Sequence, residues 1–391
     1  MLSPIKIGIN AVYLDPNRRG GAETYVRQLV NQLITRPTVE LERLQFVLFV
    51  SQDSEFINHP GLRNQSRIEL VVTPVQANKK FQRIGWEQVY FPRLLNQHQL
   101  ELMHFPYGTM SVRYKRASIV TVHDTLRFCF PEQMPRSQRL YRSWNERALR
   151  RNNVHAIAVS HADAQIAREQ LKIPPDRMSV IYHGVNPEFG ELNRASTGRW
   201  TEKLTAPQLL WIGRPYIRKN VELLIRVVHQ LEAIFGLQPQ LKLVGIESAD
   251  RRRMEKQIER TDAAELIELS PPVPHREVPE LLRQADFFLY PSLYESFGIP
   301  VLEALAIGLP TICADIAPFR ELYGDGIITC SGSSPNAWAK VIKELCDQPE
   351  QRQQLSERGV RRAAEFSWKK CIDEHLELYQ RLTCPKEYES Q

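Results

Sequence analysis

Two glutamates eight positions apart give the sequence its clearest chemical signal. Glu295 follows an apolar run that ends at Pro291, and Glu303 lies in a short segment that opens with Gly298-Ile299-Pro300 and closes at Gly308. A proline in the first helical turn and a glycine just past the last turn are typical of the two ends of a helix. The pattern therefore predicts a strand, a loop that carries Glu295, and a helix that carries Glu303 in its first turns.

The predicted helix start lies between the two carboxylates, and this arrangement suits one class of ligand. Backbone amides at a helix amino terminus bind phosphate, and carboxylates accept hydrogen bonds from hydroxyl groups. A sugar hydroxyl on Glu295, a ribose hydroxyl on Glu303 and a diphosphate between them would satisfy every polar group. The segment therefore predicts a nucleotide-sugar site. As isolated surface glutamates, the pair would carry no function.

Three cations crowd a glycine turn earlier in the same half of the chain. Arg214, Arg218 and Lys219 follow an apolar run that ends at Gly213, and a helical pattern begins after Asn220, which we expect to cap it. Mutual repulsion among three cations beside a helix amino terminus suggests a missing anion such as a diphosphate. The alternative is that they decorate an exposed turn.

A pair of glycines offers a second phosphate-binding candidate near the start of the chain. Gly20 and Gly21 follow an apolar run and precede a helical pattern, so backbone amides can approach a ligand there. An ordinary turn explains the pair equally well. The fingerprint Gly-x-Gly-x-x-Gly is absent, and a nicotinamide dehydrogenase therefore loses its main support.

His123 and Asp124 end another apolar run and form a further candidate for an active site. A neutral imidazole can donate or accept a proton near neutral pH. A structural histidine with satisfied hydrogen bonds is the alternative. We expect the other histidines that follow or flank strands to be structural, namely His104, His161 and His183.

Short apolar runs alternate with helical patterns along nearly the whole chain, which is typical of α/β domains with parallel sheets. In the first half the predicted strands are Lys6–Asn10, Phe46–Ser51, Ile68–Thr73, Leu102–Phe105, Ser118–His123, Ala156–Ser160 and Met178–Tyr182. In the second half they are Gln208–Gly213, Leu241–Gly245, Leu266–Leu269, Phe287–Pro291, Thr311–Ala314 and Gly326–Thr329.

A polar stretch from about His183 to Pro207, rich in glycine and proline, predicts a linker between two doubly wound domains. We place the domains at residues 1–185 and 186–368. Open parallel sheets bind ligands beyond the carboxyl ends of their strands. Two facing sheets would therefore share a cleft, and we expect the functional site there.

Composition excludes several classes of protein. The 391 residues are 42% hydrophobic and 25% charged, which is typical of globular domains and not of disordered or coiled-coil chains. No run approaches the roughly 18 apolar residues of a membrane span, and no signal-peptide pattern opens the chain, so a cytoplasmic location is expected. The six cysteines lack Cys-x2-Cys pairs, which argues against a zinc site or a disulfide framework.

The net charge of +6 is unevenly distributed. Residues 1–190 hold 25 Lys and Arg against 16 Asp and Glu, or +9, whereas residues 191–391 hold 26 against 29, or −3. Much of the excess lies in Arg136, Arg139, Arg142, Arg147, Arg150 and Arg151. A basic helix face can meet nucleic acid or an anionic membrane, or can simply be solvated. Beside a nucleotide-sugar site we expect peripheral contact with a membrane and no nucleic-acid partner.

Taken together, these motifs identify the chain as similar to the retaining glycosyltransferases of family four, which have the two-domain GT-B fold. The family motif Glu-x7-Glu is present as Glu295 to Glu303, after Tyr290-Pro291-Ser292. The resemblance implies that Arg214 and Lys219 hold the donor diphosphate, that Glu295 contacts the transferred sugar and that Glu303 contacts the ribose. It also implies donor contacts from the amino-terminal glycines and from the loop and helix start, namely Gly20, Gly21, Phe297, Gly298, Ile299, Val301 and Leu302.

The segment Val122-His123-Asp124, followed by Pro131-Glu132, is similar to that of mannosyltransferases that assemble bacterial O-antigen and other surface polysaccharides. In those enzymes the histidine lies near the transferred sugar. We therefore expect His123 to contact the sugar and Asp124 to orient the loop, with Glu295 as the third catalytic residue. GDP-mannose is the first expected donor, UDP-linked sugars the second, and a glycan or polyprenyl-linked saccharide the expected acceptor.

Two further segments concern the domain boundaries, namely the hinge between the domains and the C-terminal helix. The family commonly has Pro-x-Gly-Val-Asp there, whereas this chain has His183-Gly184-Val185-Asn186, which weakens any role for a carboxylate. The last amphipathic pattern, Lys369–Leu382, predicts a helix. In the family that helix packs back on the first domain, so we assign residues from about 369 to 391 to domain one.

The mechanism expected from the resemblance retains the anomeric configuration. A covalent intermediate needs a carboxylate close to the anomeric carbon, and none is evident, so we expect front-face departure and attack. No Asp-x-Asp sequence occurs, and we expect neither a metal nor a cofactor. A sugar-nucleotide epimerase of the same fold, a phosphorylase and a non-catalytic sugar-nucleotide-binding subunit are the alternatives. Phosphorylases bind pyridoxal phosphate and are much longer than this chain.

Overall fold

The computed structural model describes residues 4–18, 20–41, 43–193, 202–261 and 263–384. Part of the predicted linker, residues 194–201, and the end of the assigned C-terminal segment, residues 385–391, lie outside this range. The chain divides into two compact units. The first unit is Met1–His183 with Trp368–Gln391, and the second unit is Gly184–Ser367.

A seven-stranded parallel sheet forms the centre of the first unit. Its strands are β1 (Ile5–Ala11), β2 (Leu44–Val50), β3 (Ile68–Val72), β4 (Leu102–Phe105), β5 (Ser118–Val122), β6 (Val154–Ala158) and β7 (Met178–Val180). The strand order is β3-β2-β1-β4-β5-β6-β7. The helices of this unit up to β7 are α1 (Gly21–Thr35), α2 (Lys80–Val89), α3 (Phe91–Gln97), α4 (Leu126–Cys129), α5 (Arg136–Leu149) and α6 (His161–Leu171).

A six-stranded parallel sheet forms the centre of the second unit. Its strands are β8 (Gln208–Ile212), β9 (Gln240–Val244), β10 (Ile267–Ser270), β11 (Phe287–Tyr290), β12 (Thr311–Ala314) and β13 (Ile328–Cys330), in the order β10-β9-β8-β11-β12-β13. Its helices are α7 (Pro187–Glu191), α8 (Val221–Phe235), α9 (Ser248–Ile258), α10 (Val278–Gln284), α11 (Ile299–Ile307), α12 (Ala317–Tyr323), α13 (Pro335–Asp347) and α14 (Pro349–Ala363).

The expected pair of doubly wound parallel sheets is confirmed. Each of the thirteen predicted strands corresponds to an observed strand, and the ends differ by no more than two residues. The central strands are buried on both faces, as in β5 and β11, where every residue is buried. Parallel strands covered by helices on both faces have continuous apolar runs, and such runs are easily recognised in a sequence.

The predicted linker is not wholly irregular. Pro187–Glu191 form the short helix α7, which starts with a proline in its first turn and buries Phe189. These five residues of the predicted linker are therefore helical. Val185 forms a parallel bridge with Ser367, and its amide donates to the carbonyl of Phe366 at 3.3 Å. The two segments at which the chain enters and leaves the second unit thus run side by side.

The last helix, α15 (Trp368–Thr383), belongs to the first unit and packs against α1. Its apolar side buries Ile372 and Tyr379 in the core of that unit. Two hydrogen bonds fix its register: His375 Nε2 lies 2.6 Å from the hydroxyl of Tyr25, and the hydroxyl of Tyr379 lies 2.7 Å from Nδ1 of His104. The helix is therefore held by buried polar contacts as well as by apolar packing.

Each sheet has one point at which the strand order reverses. In the first unit it lies between β1 and β4, and in the second between β8 and β11. Loops that leave neighbouring strands in opposite directions open a crevice at such a point, and ligands bind there in open α/β sheets. Four of the sequence motifs follow these strands or their neighbours: Gly20-Gly21 after β1, His123-Asp124 after β5, Arg214–Lys219 after β8 and Glu295–Glu303 after β11.

Candidate active site

Lys219 and Glu295 form the centre of the candidate site in the second unit. Lys219 ends the short 3-10 turn Ile217–Lys219 after β8, and Glu295 lies on the loop after β11. The Lys219 ammonium forms an ion pair with the Glu295 carboxylate and donates a hydrogen bond to the hydroxyl of Tyr290 at 2.8 Å. Both side chains of the ion pair are about one-eighth exposed, so the pair faces a narrow opening.

Burial sets the electrostatics of this pair. It lowers the pKa of Lys219, and the neighbouring Glu295 carboxylate opposes that shift. Tyr290 is enclosed beneath the pair, and burial raises the pKa of its phenol. The hydroxyl of Tyr290 therefore stays protonated and holds Lys219 in place. Sequence reasoning missed this residue as a functional side chain, although its position at the end of β11 was a usable signal.

The other two cations of the turn lie further out. Arg214 Nη2 forms an ion pair with Glu247 Oε2 at 2.7 Å, and its guanidinium lies 5.5 Å from the ring centre of Tyr216. Arg218 lies 4.8 Å from the same ring. The sequence suggested a missing anion beside these three cations, and in the described part of the chain Arg214 and Lys219 each pair with a carboxylate. An incoming anion would have to exchange with these carboxylates.

Asn220 does not cap α8 with its side chain as expected. Its backbone is left-handed, with φ of 52°, and it occupies the cap position without a capping hydrogen bond from the side chain. The amide group instead donates to the carbonyl oxygens of Pro291 and Gly332, at 3.3 and 2.7 Å. Asn220 thus ties the turn that carries Lys219 to the loop that follows β11.

The amino terminus of α11 lies directly after Glu295 on the same loop. Gly298 occupies its cap position with φ of 85°, and a side-chain carbon there would lie 2.7 Å from the ring of Phe319. Only glycine fits both constraints without strain. Pro300 has no N–H, and Val301 and Leu302 donate to the Gly298 carbonyl, so the amides left for a ligand at this helix end are those of Gly298 and Ile299. This is the type of anion site that the sequence predicted.

Three apolar residues predicted to contact the donor have side chains packed inside the unit. Phe297, Val301 and Leu302 are at most 3% exposed. The Val301 amide donates to the carbonyl of Gly298 at 2.8 Å, and so does the Leu302 amide at 3.4 Å. A ligand at this helix end would therefore meet the backbone ahead of Val301, including Ile299.

Glu303 lies on the buried side of α11 and has one neighbour that the sequence did not reveal. Nε2 of His275, on the 3-10 turn His275–Glu277 after β10, donates to Oε1 of Glu303 at 2.8 Å. The ring of His275 also meets the ring of Phe189 edge-on, with centres 5.5 Å apart. Burial raises the pKa of Glu303, whereas the hydrogen bond from His275 lowers it. No motif linked these residues, which are 28 positions apart.

In the first unit, His123 lines a small pocket that opens to solvent. The walls include Tyr107 after β4, Asp124 beside it and Arg142 from α5. His123 Nε2 donates to the carbonyl of Pro106 at 2.6 Å, so this nitrogen is the protonated one. Among the described residues Nδ1 has no hydrogen-bond partner, and burial lowers the pKa of the ring. His123 is therefore a neutral imidazole with one unused acceptor.

Asp124 lies beside His123 at the carboxyl end of the sheet. Its Oδ1 accepts from the backbone amide of Leu126 at 3.2 Å and lies 3.6 Å from Nη1 of Arg142. The first contact ties Asp124 to the loop that starts α4. The second brings one arginine of the predicted basic segment to the pocket.

The glycine pair stands at the start of α1. Gly20 is the cap residue in an extended conformation, and Gly21 is the first helical residue. A side-chain carbon at Gly20 would lie 2.6 Å from the Glu23 carboxylate, which is the nearest acid to this helix end. Glu23 in turn pairs with Arg18 at 3.4 Å.

Two of the histidines expected to be structural are enclosed in the first unit. His104 is fully buried, with bonds of 2.7 Å to the hydroxyls of both Tyr379 and Thr121. His183 packs between Tyr25 and Trp368, with ring-centre distances of 5.2 and 5.7 Å. His161 differs, because it starts α6 on the surface.

Within the residues that the structure describes, no His, Cys, Asp and Glu side chains form a group of three or more placed to hold a metal ion. None of the described helices is both long enough and apolar enough to cross a bilayer.

Two family models match the chain. The model for Glycosyltransferase Family 4 matches residues 19–189, and the model for Glycosyl transferases group 1 matches residues 195–362. The chain belongs to glycosyltransferase family four. Two curated relatives of this family-four enzyme illustrate the similarity. O-antigen chain mannosyltransferase B of Escherichia coli is 24% identical over 93% of the chain and 96% of the relative. D-inositol 3-phosphate glycosyltransferase of Thermomonospora curvata is 30% identical, and the match spans 55% of each chain.

Solved structures with the GT-B fold resemble the family-four enzyme over nearly its whole length. Sucrose-phosphate synthase of Thermosynechococcus elongatus has a TM-score of 0.75 at 20% identity and covers 98% of this chain and 100% of its own. WaaG, a glycosyltransferase involved in lipopolysaccharide biosynthesis, has a TM-score of 0.71 at 16% identity, with 95% and 99% covered. HepE of Anabaena, in complex with UDP and glucose, has a TM-score of 0.69 at 16% identity, and the match covers 96% of this chain and 99% of HepE.

Proposed function

We propose that this glycosyltransferase transfers a hexose from a nucleoside-diphosphate sugar to a glycan or lipid-linked saccharide, with retention of the anomeric configuration. The observation that carries the proposal is the cluster of Lys219, Glu295 and Tyr290 beside the amino terminus of α11. It brings a cation from the turn after β8 together with a carboxylate and backbone amides from the loop after β11. A diphosphate and a sugar hydroxyl need these three kinds of group.

Donor binding exchanges the partners of Lys219. In the structure, the ammonium pairs with Glu295. A bound diphosphate offers a more highly charged partner and draws Lys219 away, which releases the Glu295 carboxylate to accept from a hydroxyl of the transferred sugar. Arg214 exchanges Glu247 for the diphosphate in the same way. Glu303, held by His275, accepts from the ribose.

Departure of the nucleoside diphosphate is the step that these groups assist. Negative charge grows on the bridging oxygen as the glycosidic bond breaks, and preorganised cations and amides stabilise it most when water is excluded. Lys219, Arg214 and the start of α11 supply that charge in place of a metal ion. The acceptor attacks from the same face, and the leaving phosphate takes its proton.

In the first unit, we assign roles in the reaction to His123 and Asp124. The unused Nδ1 of His123 accepts a hydrogen bond from a sugar hydroxyl, since the ring is neutral and its other nitrogen is committed to Pro106. Asp124 acts through the loop that it fixes. Gly20 and Gly21 let backbone approach the diphosphate at the start of α1.

The identity of the sugar is supported by similarity rather than by geometry. The relative that matches almost the full chain is named as an O-antigen mannosyltransferase. We therefore place GDP-mannose first among donors and the assembly of a surface polysaccharide first among processes. A UDP-linked sugar is second, because the fold of HepE holds UDP and glucose.

The acceptor is proposed to reside at the inner face of a membrane that the enzyme contacts peripherally. Arg136 and Arg139 lie on α5, and exposed apolar side chains accompany them: Leu140 is 72% exposed, Trp144 is 40% exposed, and Phe81 on α2 is 87% exposed. Cations beside exposed apolar groups are typical of surfaces that bind anionic bilayers. Arg150 and Arg151 do not contribute, since both donate to backbone carbonyls.

The activity is tested with a panel of nucleotide sugars, scored for slow hydrolysis and for transfer to membrane extracts. We expect one GDP- or UDP-linked hexose to be turned over, with loss of at least about 100-fold in Lys219→Ala and Glu295→Ala, the scale typical of a lost transition-state donor. Arg226→Ala on α8 is the matched control. Free 2-epimer without acceptor consumption would assign an epimerase, and absence of turnover with intact binding would assign a non-catalytic subunit.

Two further measurements check the accompanying claims. Excess chelator should leave turnover unchanged. Complete loss of turnover that added Mg²⁺ restores would overturn the metal-independent route.

Flotation with phosphatidylglycerol vesicles at low salt should recover the wild type, and Arg136→Gln with Arg139→Gln should reduce recovery several-fold. Equal recovery from neutral and anionic vesicles would refute the proposed electrostatic contact.

A further inference from the structure

A second cluster of cations lies in the first unit, on helices α2 and α5. Lys80 and Arg83 are three positions apart on α2 and share one helix face. Gln88, near the end of α2, donates to the hydroxyl of Tyr141 on α5 at 3.4 Å, so the two helices approach each other at this point. Arg142 is the neighbour of Tyr141 in sequence, and its charge, with that of Arg83, lowers the pKa of Lys80 after the larger effect of desolvation.

Aromatic rings connect this cluster to the pocket of His123. The guanidinium of Arg83 lies 4.1 Å above the ring centre of Tyr13, and that ring stacks on Tyr107 with centres 5.4 Å apart. Tyr107 and Arg142 both line the pocket that contains His123. The cations and the pocket thus form one continuous surface at the carboxyl end of the sheet.

The positive charge of the cluster is poorly balanced. Within the described ranges no carboxylate lies within 4 Å of Lys80 or Arg83, and the acid near Arg142 is Asp124 at 3.6 Å. Glu87 lies one turn from Arg83 but does not compensate. It is buried, it bonds to Asn10 and Tyr13, and burial raises its pKa well above the usual range.

Two donors at the same place have no partner. Nε of Arg83 and the hydroxyl of Tyr107 are enclosed by protein and make no hydrogen bond among the residues that the structure describes. An enclosed donor without an acceptor is unfavourable, so such groups normally have a ligand or a water molecule. Both donors lie around the stacked rings of Tyr13 and Tyr107, where an oxyanion could accept from them.

We propose that Lys80, Arg83 and Arg142, with the hydroxyl of Tyr107, bind an anionic oxygen-rich group of the phosphate or diphosphate class on the acceptor. The identification of this ligand as the acceptor rests on the proposed function, whereas the anion site itself does not. A phosphate held there would fix the acceptor beside His123. The site therefore selects acceptors that carry a phosphate close to the attacking hydroxyl over neutral glycans.

The test measures anion binding by calorimetry at low salt, with the full chain carrying Arg214→Ala and Lys219→Ala so that the donor site does not compete. The probes are pyrophosphate and inorganic phosphate. We expect saturable binding of one pyrophosphate, weakened at least tenfold by Lys80→Ala and by Arg83→Gln. Arg147→Gln, an exposed arginine on α5, should leave the affinity unchanged.

Further probes separate the sources of the phosphate. A short-chain prenyl diphosphate that binds more tightly than pyrophosphate points to a lipid-linked acceptor, and equal affinity points to a soluble sugar phosphate. Both outcomes support the site. Binding only to phosphatidylglycerol vesicles, with no affinity for pyrophosphate, would overturn it in favour of a headgroup contact. Absence of saturable binding, or equal weakening by Arg147→Gln, would also overturn it, whatever the outcome of the donor assays.

Discussion

At the scale of single residues, the candidate donor site is organised by side chains that the motif does not contain. Tyr290 holds Lys219, His275 holds Glu303 and Glu247 holds Arg214. These partners come from other loops at the same sheet edge. The motif residues supply the charged groups, and their partners fix the positions of these groups before the donor binds.

Tyr290→Phe removes one hydroxyl and nothing else from the site. A hydrogen bond to a charged group contributes about 1.5–3 kcal/mol, so we expect nucleoside-diphosphate affinity to fall about tenfold or more. The melting temperature should change little, because the ring packing against Phe288 and Phe319 remains. Calorimetric titration measures the affinity. Tyr114→Phe, a buried tyrosine whose hydroxyl has no partner in the described chain, is the control. Equal affinities of wild type and Tyr290→Phe would contradict the positioning role.

His275→Phe should move the pH dependence of donor binding. Burial raises the pKa of Glu303, and the hydrogen bond from His275 lowers it. Since the ionised carboxylate accepts from the ribose, donor affinity is lost as pH falls through this pKa. Without His275 the pKa rises further, so the loss should begin at a higher pH. His275→Gln keeps an N–H donor and should restore the wild-type profile. An unshifted profile in His275→Phe would show that Glu303 does not depend on this bond.

At the scale of elements, the sequence predicted strands and helix ends well and side-chain pairing poorly. The strands were recognisable because they are apolar along their full length, and α11 because Pro300 and Gly308 mark its two ends. The left-handed backbone of Asn220 was not recognisable. The side-chain amide of Asn220 donates hydrogen bonds to two loops that lie 71 and 112 positions away in the sequence. Only the assembled sheet brings those loops within reach of Asn220.

Gly298→Ala tests whether the start of α11 needs its glycine. The positive φ and the contact with Phe319 both oppose a side chain, so we expect a loss of roughly 1–3 kcal/mol in stability and weaker diphosphate binding. Gly190→Ala in α7 is the matched control, because a side-chain carbon there meets no atom within 4 Å. Thermal melts and calorimetry measure the two effects. A Gly298→Ala enzyme with wild-type stability and affinity would contradict the assigned turn geometry.

The helix α15 should make the first unit sensitive to acid. Burial lowers the pKa of His375 to about 4, against about 6.5 in an unfolded chain. A depressed pKa means that stability present above pH 6.5 is lost as pH falls toward 4, by up to about 3 kcal/mol for this group. The melting temperature should therefore fall across that window, and less steeply in His375→Gln. His161→Gln, at a surface position, should keep the wild-type slope. Parallel slopes in all three proteins would exclude this contribution.

At the scale of the whole molecule, the sequence was sufficient for the two doubly wound sheets and for the family. The strand reversals at β1/β4 and β8/β11 place the motifs at the sheet edge where ligands bind. The sequence did not reveal that Lys219 and Glu295 are joined. The sequence shows which residues are charged and how they are spaced. Which charged side chains pair with each other depends on loop geometry that no local pattern encodes.

The central claim is that Lys219 and the start of α11 recognise a nucleoside by its second phosphate. The most direct measurement compares GDP with GMP, and UDP with UMP, by calorimetry on the wild type and on Lys219→Gln. One diphosphate should bind at least about tenfold more tightly than its monophosphate, a difference of about 1.4 kcal/mol, and Lys219→Gln should abolish that difference. Equal affinity for di- and monophosphates, or a preference that survives Lys219→Gln, would contradict the account.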